Sequence, residues 1–225
     1  MVHRRGKIKM KNKRILSTKI LNEDELNQLD LHGHVVEQWN FIKTKEKKFS
    51  INLNEEILIF SSQNAVNSFF SQHQNVTTRN CICVGEKTKE LLEKKKQNVM
   101  NFFISSKDMV EFLETNLLGK KFIFFTGNQR MNNIENFFDT QDDNFRVVEV
   151  YKSYCDSKCF KDFNIALFFS PSGVRCFAKL NSFENIDCFA IGESTANELK
   201  NYTTNIHIAK KPTISNLIEK VKILH

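Results

Sequence analysis

The chain repeats itself, and the repeat leaves few architectures open to it. LIFSSQNAVNSFF around Ser62 is matched by LFFSPSGVRCFAK around Ser170, with Phe60, Ser62, Val66 and Phe69 answered by Phe168, Ser170, Val174 and Phe177. CVGEKTKELL is matched by AIGESTANEL, where Gly85, Glu86, Thr88 and Leu92 meet Gly192, Glu193, Thr195 and Leu199. Ser170 follows Ser62 by 108 residues and Gly192 follows Gly85 by 107, so two separate motifs recur at nearly one spacing. A weaker echo sets ISSKDMVEFL against IAKKPTISNLI. Each copy reads as strand, Ser-bearing turn, helix, strand, Gly-Glu turn and helix. Two similar α/β domains are expected.

Short apolar runs read as strands: RILS, HVVEQWNFI, EILIF, CICV, NVMNFFI, KFIFF, FRVVEVY, IALFF, DCFAI and NIHIA. Helix-length segments separate most of them, at 22–33, 64–73, 86–96, 106–117, 130–138, 172–180, 193–202 and 213–223. Strands spaced by helices form parallel sheets covered on both faces. A strand-helix unit at 14–38 precedes the first copy and lacks a sheet of its own unless it completes that of the second copy. The chain is therefore expected to consist of a basic disordered arm (1–13), a discontinuous domain (14–40 plus 155–225) and a second domain (49–146). Linker strands at 41–48 and 147–154 are expected to pair as a two-stranded ladder.

Charge narrows the functions. Lys and Arg number 33 against 26 Asp and Glu, but Arg4, Arg5, Lys7, Lys9, Lys11, Lys13 and Arg14 carry the whole excess of +7. The body is neutral and offers no basic groove, so nucleic acid is not expected as a partner. No run approaches the roughly 18 apolar residues of a membrane span, and the basic start is followed by no apolar stretch of a secretory signal. A cytoplasmic protein without a membrane partner is expected. The six cysteines form no CxxC pair and are expected to be reduced. His32 and His34 in LHGHVV have no Cys or carboxylate in metal-ligand spacing and read as a turn before a strand. GxxxxGK[ST], GxGxxG and GxSxG are all absent, which disfavours nucleotide cofactors and a covalent hydrolase. The Ser and Gly-Glu turns that open helices remain: their free N–H groups can hold anions, or their hydroxyls can simply cap the helix.

Seven motifs in order, ILIFSSQNAV, CVGEKTKELL, FFTGNQR, VVEVYKSY, ALFFSPSGV, FAIGESTANEL and AKKPTISNLI, resemble the pattern of the uroporphyrinogen-III synthase (HemD) family over nearly the whole chain from Arg14 on. The resemblance implies two flavodoxin-like parallel-sheet domains, one discontinuous, joined by a two-stranded β-ladder, with the active site in the interdomain cleft. It implies a monomeric enzyme without metal or cofactor that cyclises hydroxymethylbilane, losing water and inverting ring D through a spiro intermediate. Tyr151 in EVYKS matches the tyrosine proposed to help the hydroxyl leave, and Tyr154 has no such match. Substrate-facing positions carry over to Ser170 and Ser172 in FSPSG, to Gly192, Ser194 and Thr195 in GESTA, and to Ser62 and Asn64 in SSQNA. GNQR adds Asn128 and Arg130, and Lys19 stands where the family usually has Arg. A two-lobed protein that binds an anionic small molecule without catalysis is the alternative.

Because the arm holds the charge excess and lies outside the repeat, deleting residues 1–9 is expected to leave the melting temperature and the cyclisation rate nearly unchanged. A tenfold loss of rate with a normal melting curve would contradict this.

Overall fold

The sequence sets β-branched and aromatic runs between helix formers, and these build the elements of the computed structural model, which describes residues 13–30, 33–116, 119–129 and 144–224. His32, Arg130, the helix expected at 130–138 and the arm through residue 12 lie outside the described residues. The elements are β1 (Arg14–Ser17), α1 (Glu23–Asp30), β2 (Val35–Gln38), β3 (Ile42–Glu46), β4 (Ile57–Phe60), α2 (Gln63–Gln72), β5 (Asn80–Val84), α3 (Glu86–Lys94), β6 (Asn98–Phe103) and α4 (Ser106–Asn116). Then follow β7 (Phe122–Gly127), β8 (Phe145–Cys155), β9 (Ile165–Phe168), α5 (Pro171–Phe177), β10 (Asp187–Ala190), α6 (Glu193–Leu199), β11 (Ile206–Ile208) and α7 (Ile214–Leu224). Asn22 and Glu25 close a reciprocal capping box on α1: Asn22 Oδ1 accepts from the Glu25 N–H at 2.8 Å, and Glu25 Oε2 from the Asn22 N–H at 2.9 Å.

Two compact units share the chain, Met1–Lys43 with Cys155–His225, and Thr44–Tyr154. The sheet of the discontinuous unit runs β11-β10-β9-β1-β2 with every pair parallel. In chain order that is 2-1-3-4-5, the flavodoxin arrangement. The other sheet runs β3-β8-β7-β4-β5-β6, parallel from β8 to β6. Its parallel part is the same arrangement entered at a different strand: β4, β5 and β6 answer β9, β10 and β11, while β7 and β8 answer β1 and β2. Both sheets thus have a switch point, between β1 and β9 and between β4 and β7, where connections leave in opposite directions and a crevice opens at the strand C-termini.

The repeated residues are core residues, which is why they recur. Phe60, Val66 and Phe69 in one unit, and Phe168, Val174 and Phe177 in the other, are all fully buried. Phe69 of α2 meets Phe60 of β4 edge-on, with centroids 5.7 Å apart, and Phe177 of α5 meets Phe168 of β9 in the same way at 5.2 Å. Truncating any of these rings would cost about 3–5 kcal/mol.

HVVEQWNFI does not form one strand. It divides into β2 and β3, which belong to different sheets, because Trp39–Phe41 is captured by the end of β1: the Trp39 N–H donates to Ser17 O and the Phe41 N–H to Thr18 O. Phe41 is fully buried there, and the Trp39 indole donates to Asp156 O at 2.8 Å. Beyond the break, β3 lies beside β8. The Asp156 N–H donates to Phe41 O and the Lys47 N–H to Val150 O, so one strand ascends as the other descends and the pair is antiparallel.

One expectation is overturned. Cys155 and Cys176 are not reduced thiols but a disulfide, Cα atoms 5.5 Å apart, because the end of β8 packs on α5. The partners are 21 residues apart and share no local motif, so nothing in their spacing announces the bond. Cys81, Cys83 and Cys188 are buried, and burial pushes their thiols up to about 12, about 11 and about 12 respectively. Cys159 is the exposed free thiol. Among the described residues no helix is long and apolar enough to cross a membrane, and no group of three or more His, Cys, Asp or Glu is placed to hold a metal.

A thiol reagent such as DTNB is expected to titrate Cys159 alone in the native protein, three more thiols after denaturation, and two more after reduction. Six thiols in denatured, unreduced protein would show the disulfide to be absent.

Candidate active site

At the switch point of the continuous unit, β4 ends at Phe60 and Ser62 turns the chain into α2. Ser62 is extended, and its Oγ accepts from the Ala65 N–H at 3.2 Å, satisfying one of the free donors of the first turn. On the neighbouring strand β7 the chain ends at Gly127, opposite β8. The register shifts there: Thr126 faces Glu149 but Gly127 faces Tyr151, so β8 carries an extra residue. This bulge lets Val150 and Tyr151, adjacent in sequence, both pack on the core around Leu58, Phe60 and Phe125.

The bulge lays the Tyr151 ring on the backbone of Gly127. A Cβ added at Gly127 would fall 2.4 Å from Tyr151 Cζ and 2.9 Å from its phenol oxygen, so any side chain at 127 would push the ring aside. The phenol oxygen then lies 3.2 Å from Ser62 Oγ. Asn128 extends the β7–β8 ladder by one step with its amide, Oδ1 accepting from the Ser153 N–H at 2.7 Å and Nδ2 donating to Ser153 O at 3.2 Å. Asn64, in the first turn of α2, is exposed. Gly85, with φ +89°, opens α3 in a conformation that excludes side chains, and Thr88 behind it is buried.

The switch point of the discontinuous unit is built alike. Ser170 is extended and caps α5, its Oγ accepting from the Gly173 N–H at 3.1 Å, with Pro171 pre-set for the first turn. Its hydroxyl lies 3.1 Å from that of Ser172. Beside it, β1 ends in Ser17, Thr18 and Lys19. Thr18 is buried, with Oγ1 donating to Leu167 O at 2.8 Å, and Lys19 is exposed, its carbonyl accepting from Ser17 Oγ at 2.5 Å. At the next turn Gly192 is extended with no side-chain cap, Ser194 is exposed, and Thr195 is only 1% exposed.

Ser62 and Tyr151 are thus brought into contact, as are Ser170 and Ser172. Thr195 sits in the core rather than on the surface, the Asn128 amide is held by Ser153, and Arg130 lies outside the described residues. Two positions escaped sequence reasoning. Thr18 falls in none of the seven motifs, and Gly127 is legible only as a glycine at a strand end. Chemically, these turns offer N–H groups, hydroxyls and an ammonium that can hold carboxylates, and a phenol that can give a proton.

The family model for uroporphyrinogen-III synthase HemD matches residues 24–219. No curated protein matches the chain. Among solved structures, uroporphyrinogen-III synthetase from Helicobacter pylori is similar at 18% identity with a TM-score of 0.74, covering 95% of this chain and 100% of that one. A mutant uroporphyrinogen III synthase from the extremely thermophilic bacterium Thermus thermophilus is similar at 9% identity with a TM-score of 0.61, covering 94% and 98%. At these identities the structures attest the two-domain α/β fold, and the family match extends over most of the chain. The chain belongs to the uroporphyrinogen-III synthase HemD family, the cyclising lyases of tetrapyrrole biosynthesis.

Proposed function

We propose that in the family's reaction, closure of hydroxymethylbilane to uroporphyrinogen III, Tyr151 is the proton donor to the departing hydroxyl. The contact of its phenol with Ser62 Oγ at the mouth of the β4–β7 switch point carries this reading. The electron-rich pyrrole expels the hydroxyl as its C–O bond breaks, the phenol supplies the proton that makes it water, and the far ring attacks through a spiro intermediate that inverts ring D. The protein's larger task is orientation of a floppy chain.

The substrate is rich in carboxylates, and the turns suit them. Asn64 at the start of α2, Ser170 and Ser172 at the start of α5, and Gly192 and Ser194 at the start of α6 offer hydroxyls, an amide and backbone N–H groups, while exposed Lys19 offers a charge; Ser62, which the resemblance names with them, has its hydroxyl against Tyr151 instead. Thr195 and Asn128 serve differently: the first shapes the turn from beneath, and the second holds the strand that bears Tyr151. Arg130 follows Asn128 closely and is assigned a carboxylate on the strength of the resemblance alone. On the resemblance and the sequence reading, the enzyme is taken to act as a cytoplasmic monomer without metal or cofactor.

Freshly prepared hydroxymethylbilane should be converted to the type III isomer, whereas type I alone would refute the activity. Tyr151→Phe should lower the rate at saturating substrate by about 10²-fold or less, because the pyrrole does much of the expulsion and a general acid supplies about 10²–10⁴. Tyr154→Phe, at a residue 44% exposed, is the control, and a larger loss there would refute the assignment of the acid. Activity should also persist through EDTA treatment and desalting, and restoration of a lost activity by a divalent metal would contradict the cofactor-free reading.

A further inference from the structure

Resting on the assignment of Tyr151 as the acid, we propose that Ser62 is its positioning residue, donating a hydrogen bond to the Tyr151 oxygen, and that Gly127 is the seat that makes this contact possible. A serine hydroxyl has one hydrogen and two lone pairs. Ser62 Oγ already accepts from the Ala65 N–H, which fixes the oxygen and leaves its hydrogen to give; the phenol oxygen is the group 3.2 Å away. With that hydrogen pointed at the Tyr151 oxygen, the phenol's own hydrogen is directed away from Ser62 and is free for the leaving group. When the phenol O–H bond breaks and the proton leaves with the hydroxyl as water, the charge left on oxygen meets the Ser62 hydrogen. The Ala65 N–H, Ser62 Oγ and Tyr151 oxygen form a relay from the start of α2 to the acid. The opposite polarity would tie up the phenol's proton on Ser62.

The repeat supplies an internal control. Ser170 holds the equivalent place and caps α5 through the Gly173 N–H just as Ser62 caps α2, yet its hydroxyl meets Ser172. Capping is thus common to both copies, while contact with a phenol belongs to one. That contact needs the β8 bulge and the bare Gly127, since any Cβ at 127 would displace the ring.

Kinetics and a spectrophotometric titration of the tyrosines test the proposal together. Ser62→Ala removes both cap and donor; Ser62→Asp keeps an acceptor for the Ala65 N–H, so α2 stays capped, but its carboxylate has no hydrogen to give. Both variants should lower the rate at saturating substrate about tenfold or more, Ser62→Ala with KM changed by less than about twofold, and Ser62→Thr should restore the rate. The phenol identified by its loss in Tyr151→Phe should titrate at higher pH in Ser62→Ala and at the wild-type pH in Ser62→Thr; in Ser62→Asp the added charge raises it in any case, so that variant is read by its rate. Gly127→Ala should lower the rate and move the same phenol. Adding Ser62→Ala to Tyr151→Phe should cost nothing further. Losses that multiply, a rise in KM alone, or an unmoved phenol in folded Ser62→Ala would each overturn the proposal. Should Tyr151→Phe keep full activity, the assignment of the acid fails instead, and the phenol titration still decides whether Ser62 donates.

Discussion

Each unit is registered from one contact, an aromatic ring on the strand beside the switch point met edge-on by a ring from the helix that follows it. Phe60 with Phe69, and Phe168 with Phe177, pin helix to strand at fully buried positions. The residues between have little freedom left: two past the strand phenylalanine the chain must turn, and a serine there answers the first-turn N–H groups. Where the rings lock, the helix start is set, and with it the place of Ser62 and Ser170. Phe69 also packs against Phe49, Phe70 and Phe125, so the continuous unit gathers the core on one face of its sheet around that helix. The polar turns stand on an aromatic foundation.

The repeat was readable because the same physics is needed twice. A ring, a cap and a small apolar residue at helical spacing cannot be exchanged without losing packing, so they persist while their neighbours drift. Gly85 and Gly192 show how a shared letter can hide different needs: the first requires positive φ, whereas the second is extended, a backbone any residue adopts. The permuted strand order is invisible to such a pattern, since β7 and β8 match β1 and β2 in place but share no motif with them.

What stayed illegible depends on geometry that arises only when strands pair. The bulge in β8 decides which way Tyr151 faces, and no residue in FRVVEVYKSYC signals it. Period-2 reasoning puts Val150 and Tyr151 on opposite faces, yet both reach one core. Asn128 is a substrate-facing position by the resemblance alone, and backbone groups at the end of a ladder compete for its amide. Thr195 belongs by the resemblance to a substrate-facing turn, and its side chain is buried beneath that turn. The disulfide joins a strand end to a helix, and HVVEQWNFI broke in two because the end of β1 supplied better partners than continued extension.

The discontinuity of one unit has a consequence for synthesis. β1 lies between β2 and β9 in the finished sheet, and β9 is made only after the whole of the other unit has been translated. Ribosomal order usually lets the domain made first fold first. Here β1 and β2 must wait, with the apolar flank of β1 unpaired, while Thr44–Tyr154 already has every strand of its parallel sheet. Strands that leave the ribosome before that unit are therefore completed after it, and for that interval the nascent chain depends on whatever shields an open sheet edge in the cell.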